Sequence, residues 1–135
     1  NRSLRQGRVS WARDLDKAFA KVKPTTEPTM VFRGTYLDRV PRLKVEPGQV
    51  ITERGFASTS ARRSVAEKFA ANGGDVLEIE VPPGVKMIDV NRATGSEYGR
   101  EQEMLLQRGL RMVITSVKPR PRGDGRIVRV RIVKA

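Results

Sequence analysis

Residues 76–90 read VLEIEVPPGVKMIDV, and the patterning of this stretch decides the fold class. Leu77, Ile79 and Val81 alternate with Glu78 and Glu80, the period of a strand with one buried face. Pro82-Pro83-Gly84 marks a turn, and Val85 to Val90 reads as the next strand. Working outward, TMVFRG (29–34), GFASTS (55–60), Glu101 to Leu106, Leu110 to Val117 and Gly125 to Val133 are further strands, the last two joined by a turn over Pro119 to Asp124. Pro24 to Pro28 breaks the chain, and Pro41 and Pro47-Gly48 punctuate a loop-rich connection to Val50 and Ile51. Ser10 is placed to cap a helix over Trp11 to Val22, in which Trp11, Leu15, Ala18, Phe19 and Val22 recur at helical spacing. Ser60 is placed to cap a second over Ala61 to Ala71, with Val65, Ala66, Phe69 and Ala70 inward. Ser64-x-x-Glu67 is an alternative capping box, and Asn72-Gly73-Gly74 is the stop. Two helices near the front and about seven strands make an α+β domain with a mostly antiparallel sheet.

The length of 135 residues suits one domain, 1–135, with one core. No apolar run is long enough to span a bilayer, no signal peptide is evident, and no membrane partner is indicated. The start at Asn1-Arg2-Ser3, without methionine, reads as a domain excised from a longer protein. Cysteine and histidine are both absent, so disulfides, thiolate metal sites and Ser-His-Asp arrangements are excluded. Carboxylates, hydroxyls, Tyr, Lys and Arg remain for chemistry. The net charge of +12 lies at the two ends, because residues 24–110 carry twelve charges of each sign. Such ends read either as a solubilising surface or as steering toward a polyanionic or acidic partner. In RIVRVRIV (126–133), alternation sets Arg129 and Arg131 on the face opposite Val128, Val130 and Ile132, which leans toward the second reading. No aromatic interleaves there, so base stacking is not indicated.

The segment YGREQEMLL (98–106) places Glu101 and Glu103 two residues apart in this basic chain. On one strand face they would lie roughly 6.6 Å apart and repel by about 2–3 kcal/mol in a partly shielded site. Singly, Arg33 in VFRG, Ser58-Thr59-Ser60 in GFASTS and Glu101-x-Glu103 are ordinary surface or capping features. In this order they resemble the arginine-serine-glutamate class of mono-ADP-ribosyltransferases, which includes the clostridial binary toxins. The resemblance runs from Met30 to Gly109, and the missing histidine sets the chain apart from the diphtheria-toxin-like class.

The resemblance implies an ADP-ribosyltransferase-like fold with a split, mostly antiparallel sheet, and NAD as co-substrate without a metal. It assigns Glu103 to the ribosyl centre and its 2′-hydroxyl, a task that carboxylates perform at sugar cations in glycosidases. It assigns Ser58 to orient Glu103, Arg33 to the NAD phosphates, Thr59 and Ser60 to the nicotinamide pocket, and backbone amides near Gly34 to the carboxamide. Glu101 would face an arginine acceptor, with Tyr98, Arg100 and the preceding loop recognising the target. The two carboxylates would then meet two cationic partners. The resemblance further implies a bacterial toxin domain, C-terminal in a delivery protein, secreted or delivered into a target cell to act in its cytoplasm, with an acidic cognate immunity protein as partner. A structured RNA acceptor, suggested by the basic ends, and a catalytically silent polyanion-binding module are the alternatives.

Overall fold

The computed structural model describes residues 9–90, 103–121 and 124–133, and of residues 9–12 the backbone only. Helix α1 (Val9–Lys21) and helix α2 (Arg63–Phe69) accompany strands β1 (Thr29–Thr35), β2 (Val50–Glu53), β3 (Ala57–Ser60), β4 (Asp75–Val81), β5 (Met87–Asp89), β6 (Glu103–Leu106), β7 (Leu110–Pro119) and β8 (Arg126–Ile132). A 3-10 turn, Leu37–Arg39, follows β1. The sheet order is β2-β7-β8-β4-β1-β3-β6-β5, with β4 and β8 the parallel pair among otherwise antiparallel neighbours. β2 is the strand that patterning missed. Its Val50 and Ile51 are too few to show a period, and pairing with Leu110 to Val113 of β7 makes it a strand.

β1 and β4 pair along seven residues, Thr29–Val81 to Thr35–Asp75, but β1 and β3 meet at one pair, Phe32 and Ser60. The sheet therefore divides there into a five-strand section and the three-strand section β3-β6-β5. Both sections cover the same core: Val31, Ile79, Val130 and Ile114 from one, Ala57 and Leu106 from the other, all almost completely buried. Each such aliphatic side chain contributes about 1.5–3 kcal/mol on burial. The alternation read in residues 76–81 holds, with Leu77, Ile79 and Val81 in the core. Glu78 pairs with Arg63, and Glu80 pairs with Arg129 and Arg131 across the parallel β4–β8 ladder. The two arginines expected to steer a polyanion thus first neutralise a glutamate of their own sheet.

Helix α1 docks through Phe19, which is buried and stacks on Phe56 at 5.2 Å. Helix α2 departs from expectation in two respects. Its N-cap is Arg62, without a side-chain cap, and Ser60 Oγ instead accepts the Arg62 N–H at 3.0 Å just ahead of the helix. Phe69 does not point inward and is 61% exposed, while Ala66 and Ala70 are buried against Val76 and Phe32. Alanines face the sheet because the helix lies so close to it. A β-carbon built on Gly34 of β1 would stand 2.2 Å from the Ala66 carbonyl oxygen and 2.7 Å from the Ala70 nitrogen. The helix ends at Phe69, two residues short of the expected Ala71, and the chain then turns through Asn72 and Gly73 in the left-handed region. Arg120 Nη1 donates to the Ala70 and Gly74 carbonyls at 2.7 and 3.3 Å.

One buried carboxylate ties the beginnings of β4 and β8 to the turn after β1. Asp75, 2% exposed, accepts from the Leu37 N–H at 2.9 Å and from Arg126 Nε and Nη2 at 2.8 and 3.2 Å. Arg126 Nη2 also reaches Asp38 at 2.9 Å. Its guanidinium is held above its ordinary pKa, first by the bond to Asp75. Such a pair is weak evidence of net stabilisation, but without Asp75 the buried Leu37 N–H loses its acceptor and Arg126 keeps Asp38 alone. Asp75→Ala is expected to cost about 3 kcal/mol, read as a melting temperature roughly 10 °C lower. Gly34→Ala should cost about 1–3 kcal/mol by overpacking. Because the obstructing atoms are backbone, it should also displace α2, visible as changed amide shifts along Arg63–Phe69.

Candidate active site

The division between β1 and β3 opens a cleft of about 390 Å³, bordered by Phe32, Arg33 and Gly34 of β1, Ser58 to Ser60 of β3, Glu103 of β6, and Val65, Ala66 and Phe69 of α2. This size falls within the range of small-molecule sites. The residues reach it for local reasons. β3 and β6 pair with Ser60 opposite Glu103 and Ser58 opposite Leu105. Residues two apart share a strand face, so Ser58 lies diagonal to Glu103 on that face, within reach of a long side chain. Ser58 Oγ donates to Glu103 Oε2 at 2.8 Å. One carboxylate oxygen is thereby fixed, and the negative charge is presented at the cleft.

Thr59 faces the other way, as Ala57 does. It is buried, and its Oγ1 donates to the Met104 carbonyl at 2.6 Å, clasping β3 to β6. Ser60 is buried at the seam with β1. Arg33 supplies a partly exposed cation to the cleft wall, its Nη1 donating to Glu53 Oε2 at 3.2 Å. Phe32 carries the Arg63 guanidinium over its ring at 5.4 Å, while Arg63 itself pairs with Glu78. Among the described residues no group of three or more acidic side chains converges as a metal site would require.

Five residues expected from the sequence, Arg33, Ser58, Thr59, Ser60 and Glu103, thus meet at one cleft together with Gly34. Gly34 has a packing duty that sequence reading did not foresee, the close approach of α2. Tyr98, Arg100 and Glu101 lie outside the described residues. Sequence reasoning missed Glu53 and Phe69. Glu53 stands 20 positions from Arg33, on a strand at the far end of the sheet order, and no spacing signals the contact. Phe69 fits a helical stripe, and period alone places it in the core.

The model of the ADP-ribosyltransferase exoenzyme family matches residues 3–130. The chain belongs to that family. This ADP-ribosyltransferase domain is 37% identical over 141 residues to Exoenzyme T of Pseudomonas aeruginosa, covering 99% of this chain and 28% of that protein. It is 32% identical over 121 residues to the putative NAD(+)–arginine ADP-ribosyltransferase Mav of Mycobacterium avium, covering 86% of this chain and 14% of that protein. The chain therefore spans about a quarter or less of the length of these curated relatives. Its fold is that of C3stau2 from S. aureus, solved with NAD (TM-score 0.74, 22% identity, 92% of this chain and 70% of that one). It is likewise that of the Vis toxin of Vibrio splendidus, solved with agmatine (TM-score 0.67, 24% identity, 93% and 58%).

Ser58 is exposed and its hydroxyl serves Glu103 rather than the core. Ser58→Ala should therefore leave stability within about 0.5 kcal/mol of the parent, a melting temperature changed by no more than roughly 2–3 °C. A larger loss would show that the bond between β3 and β6 is mainly structural.

Proposed function

We propose that the domain transfers ADP-ribose from NAD to an arginine side chain of a protein, with release of nicotinamide. The observation that carries this reading is the 2.8 Å bond from Ser58 to Glu103 in a cleft whose wall also holds Arg33. The chemistry asks for these groups. Breaking the bond from ribose C1′ to the nicotinamide nitrogen sends the electron pair to the leaving ring and leaves an oxocarbenium-like carbon. A preorganised carboxylate stabilises that carbon where the charge develops. Glu103 takes this role and holds the 2′-hydroxyl, while Ser58 keeps its carboxylate turned toward the cleft.

Arg33 pairs with the diphosphate, for which a planar, permanently charged guanidinium with several donors is well suited. Thr59 and Ser60 shape the nicotinamide end. With the Thr59 hydroxyl committed to Met104, the residue would contribute through its backbone and its packing. Backbone amides near Gly34 meet the carboxamide. A guanidino nitrogen of the acceptor then bonds to C1′ and loses its proton to Glu101, with Tyr98 and Arg100 recognising the surface around it. Holding donor and acceptor in line supplies much of the rate.

An arginine acceptor is supported by Glu101-x-Glu103, by the name of the Mav relative and by agmatine, itself a guanidine, in the Vis structure. An RNA acceptor has less support than the basic ends suggested, since Arg129 and Arg131 are engaged by Glu80. As in the exoenzymes it resembles, the domain would act inside a cell into which its parent protein is delivered. An acidic immunity protein would complement the basic ends.

The test is transfer of labelled ADP-ribose from NAD into a cell lysate. Label is expected in the protein fraction, removable by treatments that cleave arginine linkages. Glu103→Ala should lower nicotinamide release by at least about a hundredfold, the scale of losing a key electrostatic group. Glu101→Gln should keep NAD hydrolysis and lose transfer. Label in RNA, or Glu101→Gln transferring at the parent rate, would refute the arginine reading.

A further inference from the structure

Glu53 has no role in the chemistry above, yet among the described residues it is the side chain bound to Arg33. It ends β2, whose neighbour in the sheet is β7, whereas Arg33 lies on β1. The two meet because the sheet wraps around the core and brings its edge strand back toward the cleft. Both side chains are 30% exposed, so the pair is neither dry nor fully solvated. A second cavity of about 260 Å³ lies beside the cleft, and Arg33 borders both, with Glu53 on the far side. Arg33 therefore stands as a partition between two spaces, with Glu53 holding it from behind.

The backbone supports such a role. Glu53 pairs with Leu110 of β7, and its carbonyl accepts the Gly109 N–H at 3.1 Å. Three residues, Arg54 to Phe56, then lead into β3 and Ser58, so the element that holds Arg33 also delivers the serine that holds Glu103. A fork bonded through one nitrogen still has donors for a second anion. A long side chain already ordered loses less freedom when its ligand arrives.

We propose that Glu53 is a positioning residue, which tethers Arg33 so that its remaining donors face the diphosphate of the bound dinucleotide. The proposal rests on the reading of the cleft as the NAD site. The tether works against charge repulsion between Glu53 and the phosphates, so the carboxylate and the neutral amide should behave differently. Loss of the tether should weaken dinucleotide binding by the amount that one rotamer-rich side chain costs to order, roughly three- to tenfold.

The experiment is a kinetic and binding comparison of the parent, Glu53→Ala, Glu53→Gln, Arg33→Ala and the double variant Glu53→Ala/Arg33→Ala, with nicotinamide release from NAD and equilibrium binding of ADP-ribose as the two readouts. Glu53→Ala should raise KM for NAD and Kd for ADP-ribose by that factor with kcat within about twofold, a single-side-chain effect on binding. Glu53→Gln, which keeps a hydrogen-bond acceptor and removes the charge, should restore or better the parental values. In the Arg33→Ala background, Glu53→Ala should add nothing. An unchanged KM in Glu53→Ala, a fall in kcat alone, failure of Glu53→Gln to rescue, or an equal effect without Arg33 would each overturn the inference while the parent still cleaves NAD. A parent that neither cleaves NAD nor binds ADP-ribose would overturn the functional reading and the inference together.

Discussion

The structure depends on how little holds β1 to β3. Seven residues of β1 pair with β4, but the sheet passes from β1 to β3 through Phe32 and Ser60 alone. A continuous ladder there would close the surface and leave no room for a ligand. A complete break would leave two small sheets, each with an open apolar face and an unprotected edge. One residue pair keeps the two sections in register, lets them diverge into a cleft, and still allows both to bury their inner faces in the same core.

The close packing of α2 follows from the same constraint. A helix covering the outer side of this seam must approach the sheet closely or leave the cleft floor open. Gly34 on the strand and Ala66 and Ala70 on the helix allow that approach. Arg120 and the Asp75–Arg126 pair then hold the end of the helix and the start of β4 from the opposite side. The consequence for the site is positional. Phe69 lies at the cleft instead of in the core, Phe32 borders the cleft while packing on the alanines, and Arg33 and Glu103 face one shared space.

Charge is arranged locally as well. In a chain with a net charge of +12, several acidic side chains of the ordered sheet are bound to arginines: Glu53 to Arg33, Glu78 to Arg63, Glu80 to Arg129 and Arg131, Asp75 to Arg126. Apart from that of the buried Asp75, such partly exposed pairs contribute little to stability. They bear more on which cations remain to meet an outside anion. The expectation that Arg129 and Arg131 form a basic face came from strand period alone. It did not include Glu80, which the parallel register of β4 and β8 sets beside Arg131.

Much of this protein was legible in its sequence because the governing forces are local. The period-2 pattern at Leu77, Ile79 and Val81 marked a half-buried strand and Asn72-Gly73-Gly74 the turn beyond a helix, while the chemistry came from the resemblance of Arg33, Ser58-Thr59-Ser60 and Glu101-x-Glu103 to a known family. Other features were decided only when distant segments came together. β2 is a strand because β7 lies beside it; Phe69 is exposed because alanines were needed underneath; Glu53 meets Arg33 because the sheet curves. Periodicity tells which residues share a face and nothing about what that face will meet. The partner is set by the wrapping of the sheet and by the one pair at its seam, contacts between residues far apart in the chain that leave no mark on either segment alone.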